Sequence, residues 1–140
     1  NYDKRMIKRP KIYFYDTGLV SFLTAIDNIE QYSKGLLAGA LFENYIISEI
    51  IKSHTHSKNH QQCYFIRTNN YDEIDLIIDD REKLKLIEIK KTASFSVHHI
   101  KHIKKYLSEG DQGYLLYNGK YFKYSDDIIA ENYIEFLGSM

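Results

Sequence analysis

Two apolar segments that lie close together in the sequence constrain the fold of this chain more than any other feature. They are Glu73-Ile74-Asp75-Leu76-Ile77-Ile78 and Leu84-Lys85-Leu86-Ile87-Glu88-Ile89-Lys90. Each has the length of a strand and carries apolar residues on both of its faces, which is typical of interior strands in a sheet covered on both sides. The polar connection Asp79-Asp80-Arg81-Glu82 predicts that they pair as an antiparallel hairpin.

Three of the charged residues in these strands suggest a site: Asp75 on the first, and Glu88 and Lys90 on the second. Side chains alternate along a strand, so Glu88 shares a face with Lys90, and Asp75 shares a face with Glu73 and Ile77. Interior charges are costly unless they bind a metal or each other. Antiparallel pairing would bring Asp75 close to Glu88, where two carboxylates repel and favour a divalent cation. Oxygen ligands suit Mg²⁺ or Mn²⁺, and a nearby lysine completes a minimum set for metal-assisted attack of water on a phosphodiester.

The remaining sequence predicts an α/β fold in which helices flank a mixed sheet. Its expected elements are, in chain order, an extended piece at 11–16, a short helix after Asp16, a loop at 27–35, a helix at 39–54, strands at 62–68, 73–79 and 83–91, a basic helix at about 95–107, strands at 113–117 and 121–124, and a helix at 126–137. Asn118-Gly119 is a strong turn signal and predicts that 121–124 pairs back on 113–117. We expect one domain over residues 1–140.

Composition limits the classes of function that the chain can serve. With 140 residues, 44% of them hydrophobic, one domain can bury a substantial core. The formal net charge of zero excludes a uniformly basic nucleic-acid coat, although eight lysine and arginine residues within 81–105 favour an anionic ligand there. The single cysteine excludes an internal disulfide and indicates a reducing compartment. No segment approaches the roughly 18 apolar residues of a membrane span, so we expect a cytoplasmic protein without membrane contact.

The spacing of the three charged residues resembles a known nuclease signature. Asp75, a hairpin and then Glu88-x-Lys90 are similar to the PD-(D/E)xK motif of restriction-endonuclease-like nucleases and resolvases, although Glu73-Ile74 precedes Asp75 where the motif has proline. Those proteins share the order helix, three strands, helix, strand, and often add a glutamate from the preceding helix, which Glu43 matches. The resemblance covers about residues 39–118. It implies a restriction-endonuclease-like α-β-β-β-α-β core, here with an added C-terminal hairpin and helix.

The same resemblance implies a role for each residue. Asp75 and Glu88 would bind Mg²⁺ or Mn²⁺, with the carbonyl of Ile89 as a third ligand. Glu43 would bind the metal or its water. Lys90 would position the attacking water and stabilise charge in the transition state. Four lysines would neutralise phosphates of a nucleic acid, with DNA as the expected substrate: Lys91, Lys101, Lys104 and Lys105.

A second resemblance is carried by longer phrases. Four of them follow one another as in the C-terminal domain of unknown function of a large group of prokaryotic AAA-superfamily ATPases: Arg9-Pro10-Lys11-Ile12-Tyr13-Phe14-Tyr15-Asp16-Thr17-Gly18-Leu19, Gly39-Ala40-Leu41-Phe42-Glu43-Asn44, Glu73-Ile74-Asp75-Leu76 and Ile87-Glu88-Ile89-Lys90. This resemblance covers nearly the whole chain. It implies that the chain is the C-terminal part of a longer ATPase, whose N-terminal module is an expected partner. Separately, a cut of both DNA strands would require a homodimer. The chain has no Gly-x4-Gly-Lys-Ser/Thr phosphate loop, so it does not itself hydrolyse ATP by that route.

The residues alone leave other interpretations open. Asp75, Glu88 and Lys90 could form a buried salt-bridge cluster without a metal, and Glu43 could pair with Lys90 between helix and sheet. Nuclease-like folds also serve as non-catalytic modules that hold DNA or a partner protein, because a fold does not determine a function. A pure protein-interaction domain is a third alternative, and it predicts no salt-dependent DNA binding.

Overall fold

The computed structural model describes residues 11–56, 61–69 and 72–140. Arg9 and Pro10, which open one of the phrases above, therefore lie outside the described residues. The elements are α1 (Thr17–Leu23), α2 (Ile29–Lys34), α3 (Ala38–His56), β1 (Gln62–Arg67), β2 (Glu73–Asp79), β3 (Leu84–Lys90), a 3₁₀ turn (Val97–Ile100), α4 (Lys101–Tyr106), β4 (Gln112–Tyr117), β5 (Phe122–Lys123), β6 (Ile128–Asn132) and α5 (Tyr133–Gly138).

The strands form one six-stranded mixed sheet in the order β1-β2-β3-β4-β6-β5. β2 is antiparallel to both of its neighbours, β1 and β3, while β4 and β6 run parallel to β3, and β5 is antiparallel to β6. The predicted mixed α/β sheet flanked by helices is confirmed, as is the antiparallel pairing of β2 with β3. These two strands occupy interior positions, which explains why both of their faces are apolar.

Helices cover both faces of the sheet, and the sheet separates the core into two clusters. On one face, α3 and α5 enclose a cluster of buried residues: Ile46, Ile47, Ile50, Leu76, Ile78, Ile87, Ile89, Leu116 and Phe136. On the other face, α4 and the 3₁₀ turn enclose a second cluster: Ile74, Ile77, Leu86, Ile100, Ile103, Leu115, Tyr117, Ile128 and Ala130. The α4 helix approaches β4 so closely that a Cβ atom on Gly113 would collide with the side chain of Ile103.

The predicted hairpin at Asn118-Gly119 is wrong. A two-residue type I′ turn needs positive φ angles at both central residues, and neither Asn118 nor Gly119 adopts one. The Asn118 N–H donates instead to the carbonyl of Thr92, 2.9 Å away, and β4 leaves the turn without a hairpin partner. The segment that was expected to pair back forms β5, which pairs with β6 through Phe122↔Ala130.

The predicted helix at 126–137 is also only partly correct. Its first half, Ile128–Asn132, is β6, which lies between β4 and β5, and only Tyr133–Gly138 is helical. A short apolar run does not distinguish a buried strand from a helix. The predicted loop at 27–35 is wrong in the opposite sense, because Asn28 accepts a hydrogen bond from the Gln31 N–H at 2.9 Å and caps α2.

The first two helices lie on the surface and contain no buried residue. They expose large apolar side chains, with Phe22 and Ile29 both 80% exposed. A short helix that buries no apolar face gains little stability from packing. None of the helices in the described part of the chain has the length and apolar character needed to cross a membrane.

Candidate metal and nucleic-acid site

Asp75 lies at an irregularity in β2. One residue separates Tyr64 from Ile66 in β1, whereas two residues separate their partners, Ile77 and Ile74, in β2. The extra residue makes a β-bulge, a feature that redirects side chains and often occurs beside functional sites. Because of the bulge, Ile74 packs in the same cluster as Ile77. The strict alternation predicted for this strand, which put Ile74 on the face opposite Asp75 and Ile77, therefore fails here.

The Asp75 carboxylate joins β2 to β3 where their backbones stop pairing. The register between the two strands runs from Asp79↔Leu84 to Leu76↔Ile87. Beyond it, Oδ2 of Asp75 accepts the Ile89 N–H at 2.9 Å. Asp75 is 4% exposed, so this hydrogen bond satisfies a buried backbone donor and fixes the direction of the carboxylate.

Glu88 and Lys90 lie beside Asp75, as predicted from their shared face. The Lys90 ammonium Nζ lies 3.1 Å from Oε2 of Glu88 and 3.7 Å from Oδ2 of Asp75. Burial and then the charge of Asp75 raise the pKa of Glu88 to about 8, and Lys90 only partly opposes this shift. Glu88 therefore keeps its proton to a higher pH than an ordinary glutamate does. Burial would lower the pKa of Lys90, but the charges of Asp75 and Glu88 outweigh it and raise the pKa.

Glu43 also reaches this cluster from α3, but its partner is not the one considered from sequence. Its Oε1 lies 3.0 Å from Nζ of Lys11 and accepts the Tyr13 hydroxyl at 2.7 Å. The same Lys11 ammonium lies 2.5 Å from Glu73 and 3.5 Å from Oδ1 of Asp75. The structure thus brings the four predicted residues, Glu43, Asp75, Glu88 and Lys90, into one cluster, while their chemical roles stay predictions.

Several members of the cluster were not predicted as site residues. Glu73 has a weak signal, since it lies two positions before Asp75 on the same strand. Lys11 has none, because it lies 64 residues from Asp75 in the sequence. His102 contacts the far side of Glu88, with Nδ1 3.5 Å from Oε1 of Glu88 and 2.9 Å from the Glu73 carbonyl oxygen. Only the tertiary fold shows that these residues meet.

The four lysines predicted to contact nucleic acid differ in their surroundings. Lys105 pairs with Asp72 at 2.5 Å, Lys104 donates to the Tyr124 hydroxyl at 2.9 Å, and Lys91 donates to the Ser33 carbonyl. The Lys101 side chain has no ion pair or hydrogen bond with residues in the ranges 11–56, 61–69 and 72–140. Lys101 also lines a cavity of about 230 Å³ together with Glu73, Glu88, Lys90, His98, His99 and His102. This cavity connects the carboxylate cluster to the basic surface of α4.

The cluster offers oxygen ligands but not an assembled metal site. Within the described part of the chain, no group of three His, Cys, Asp or Glu side chains is arranged to hold a metal ion. The ammonium groups of Lys11 and Lys90 instead contact these carboxylates. The donor set itself fits a hard divalent cation, because four carboxylates surround two ammonium groups and leave two negative charges uncompensated when all are ionised. Asp75, Glu88 and Glu43 are the residues that could hold such a cation.

Most of this site lies in a part of the chain that matches a known protein family. Residues 38–135 match the family described as Domain of unknown function (DUF4143). The chain belongs to this family. The DUF4143 match begins with the first residue of α3 and ends within α5. It therefore contains Glu43, Asp75, Glu88 and Lys90, but not Lys11. The resemblance to a domain of unknown function is confirmed, whereas its connection to an ATPase stays a prediction.

Two curated relatives of this DUF4143 chain come from mycobacteria. The uncharacterized protein Rv2008c of Mycobacterium tuberculosis and the uncharacterized protein Mb2031c of Mycobacterium bovis are each 29% identical to it over 97 residues. The matched segment is 69% of this chain but 21% of each relative. The chain thus spans about a fifth of the length of the curated relatives it matches.

Proposed function

We propose that this DUF4143 domain is a restriction-endonuclease-like module that binds nucleic acid with a divalent metal and hydrolyses a phosphodiester bond. One observation carries the proposal: Asp75, Glu88 and Lys90 meet where β2 and β3 diverge, with the Lys90 ammonium within 3.7 Å of both carboxylates. A buried acid pair beside a lysine, with a strongly raised pKa at Glu88, is typical of catalytic sites.

The residues of the cluster would have different roles, which depend on their surroundings. Asp75 and Glu88, with Glu43, would hold Mg²⁺ or Mn²⁺, which supplies a Lewis acid and lowers the pKa of water. The Ile89 N–H keeps the Asp75 carboxylate oriented. Lys90 would stabilise the negative charge that develops on the phosphoryl oxygens, because its ammonium is already fixed by two carboxylates and needs little reorganisation.

Nucleic acid would approach along α4. Lys101 is exposed at the mouth of the cavity that contains Glu88 and Lys90, so it can contact a phosphate without breaking an ion pair. Lys104, Lys105 and Lys91 would first have to leave their present partners. We propose DNA as the substrate. A double-strand cut would need two such sites, and hence a homodimer.

The wider context is also part of the proposal. The curated relatives are about five times as long as the matched segment, so they have room for further domains. The sequence resemblance favours an N-terminal AAA-type ATPase module as the partner of this domain in the same polypeptide.

One observation favours a second candidate function, a non-catalytic module that holds DNA or a partner protein for the ATPase. The three proposed metal ligands already have cationic partners within the chain, since Lys11 contacts Glu43 and Asp75, and Lys90 contacts Asp75 and Glu88. A cluster that neutralises itself in this way can stabilise the fold without a metal. In that case the α4 surface would still bind DNA.

A paired experiment separates the two candidates. Calorimetric titration with Mn²⁺ should show binding to the wild-type domain and none to Asp75→Asn, in which the amide oxygen can still accept the Ile89 N–H. Supercoiled plasmid and single-stranded DNA should then be cut by wild type but not by Lys90→Met or Asp75→Asn, all purified identically. Metal binding that survives in Asp75→Asn, or cleavage that survives in Lys90→Met, would contradict the proposed site. Salt-dependent DNA binding without metal binding would favour the non-catalytic module.

A further inference from the structure

The Lys11 ammonium lies at the point where three carboxylates converge. Its Nζ is 2.5 Å from Oε1 of Glu73, 3.0 Å from Oε1 of Glu43 and 3.5 Å from Oδ1 of Asp75. The Lys11 side chain is only 15% exposed. An ammonium ion with three carboxylate neighbours in this position takes the place of a small hard cation.

The fold holds Lys11 there through the residues that follow it. The buried side chain of Asn44 on α3 accepts the Phe14 N–H and donates to the Phe14 carbonyl, both at 2.7 Å. The Tyr13 hydroxyl donates to the same Glu43 oxygen that Lys11 contacts. The extended segment 11–14 is therefore attached to α3 at two consecutive residues, and the position of Lys11 follows from this attachment.

The Asp75 oxygen atom that Lys11 contacts is also the one that remains for a metal. Oδ2 of Asp75 is engaged by the Ile89 N–H, so Oδ1 is the oxygen of Asp75 that remains for a cation, and it faces Lys11. A Mg²⁺ ion would need oxygen atoms at about 2.0–2.1 Å. It could not take Oδ1 of Asp75 and Oε1 of Glu43 while a second positive charge contacts both atoms.

We propose that Lys11 competes with the divalent cation for Glu43 and Asp75, so that metal binding requires the displacement of the Lys11 side chain. This inference rests on the proposed metal site and adds a residue outside the family-matched range that controls it. An apparent dissociation constant is weakened in proportion to the fraction of molecules in the competent state. If Lys11 occupies the carboxylates in about nine molecules of ten, removing it should tighten metal binding about tenfold.

The first test compares Mn²⁺ affinities by calorimetry, with free Mn²⁺ checked by electron paramagnetic resonance. Lys11→Met should bind Mn²⁺ about tenfold more tightly than wild type. The control variant Lys123→Met removes the same charge from an exposed lysine on β5, whose ion-pair partner is Asp126. This variant should bind Mn²⁺ like wild type. Lys11→Arg, which keeps the charge, should not tighten binding.

The second test uses the wild-type protein, so it does not depend on the folding of a variant. Acetylation of lysine amines, followed by mass spectrometry, should modify Lys11 slowly without metal and several-fold faster with saturating Mn²⁺. The rate at Lys123 should not change. This measurement separates direct competition from a long-range charge effect, because only competition moves the Lys11 amine into solvent.

The outcomes distinguish this inference from the proposed function. Tighter Mn²⁺ binding by Lys11→Met together with faster Lys11 labelling supports competition. Mn²⁺ binding by wild type without either change overturns the competition and leaves the metal site intact. Absence of Mn²⁺ binding in both wild type and Lys11→Met overturns the metal site and the competition together.

Discussion

Replacing Glu88 by glutamine should make the protein more stable near neutral pH. The folded protein raises the pKa of Glu88 from 4.5 to about 8, so between these values the folded state binds a proton that the unfolded state has lost. The free energy of unfolding therefore falls as pH rises through this window. Glutamine cannot ionise and can replace the side-chain hydrogen bond with Asp75, so Glu88→Gln should lack this component of the pH dependence.

The magnitude follows from the same two pKa values. Each pH unit within the window is worth roughly 1.4 kcal/mol. Between pH 5 and pH 7 the variant should gain on the order of 3 kcal/mol relative to wild type. Glu88 is 2% exposed, so solvent screening removes little of this effect. A gain of this size is a large part of the stability of an ordinary domain.

Urea unfolding at pH 5, 6, 7 and 8 measures this difference. The m-values must agree between the two proteins, so that the free energies are comparable. Glu82→Gln is the matched control, because Glu82 is exposed in the turn between β2 and β3 and should leave the profile unchanged. Parallel pH profiles for wild type and Glu88→Gln would refute the assignment of a buried, protonated Glu88.

Three further predictions follow from other contacts. Mn²⁺ binding at pH 7 should release about one proton from wild type and none from Glu88→Gln, because a metal favours the ionised acid. Calorimetry in two buffers of different ionisation enthalpy measures the number of protons released. Equal release from both proteins would contradict a protonated Glu88 in the metal-free protein. Lys101→Ala should weaken DNA binding and lower the salt slope by about one, whereas Lys123→Ala should do neither. Equal losses in binding titrations would show that only net charge matters. Gly113→Ala should lower the free energy of unfolding in urea by about 1–3 kcal/mol, because the added methyl group collides with Ile103. The loss should be smaller when Ile103 is already replaced by alanine. Strictly additive losses in the double variant would contradict the contact.

Sequence reasoning succeeded where the pattern was local and strong. The apolar runs of β2 and β3 predicted interior strands, because strands inside a covered sheet are apolar on both faces. The short connection Asp79-Asp80-Arg81-Glu82 predicted their antiparallel pairing. The helix that carries Glu43 was predicted from apolar residues that recur near helical spacing over 39–54. The antiparallel pairing of these strands predicted that Asp75 lies close to Glu88 and Lys90, although the alternation expected along β2 fails at the bulge beside Asp75.

It failed where tertiary contacts override a local preference. Asn118-Gly119 has the composition of a hairpin turn, but the Asn118 N–H is taken by Thr92, a contact that no local pattern indicates. The bulge at Asp75 is a property of two strands together. The position of Lys11 depends on a hydrogen-bonded pairing of Phe14 with Asn44, residues 30 positions apart.

The surface position of α1 and α2 has a consequence for how the domain opens. Both helices lie between two attached points, Phe14 on Asn44 and the start of α3, and neither contributes a residue to the two core clusters. Residues 17–34 can therefore unfold as a unit while the sheet stays intact. Their amide hydrogens should exchange with solvent first, whereas the Phe14 amide should exchange with those of α3.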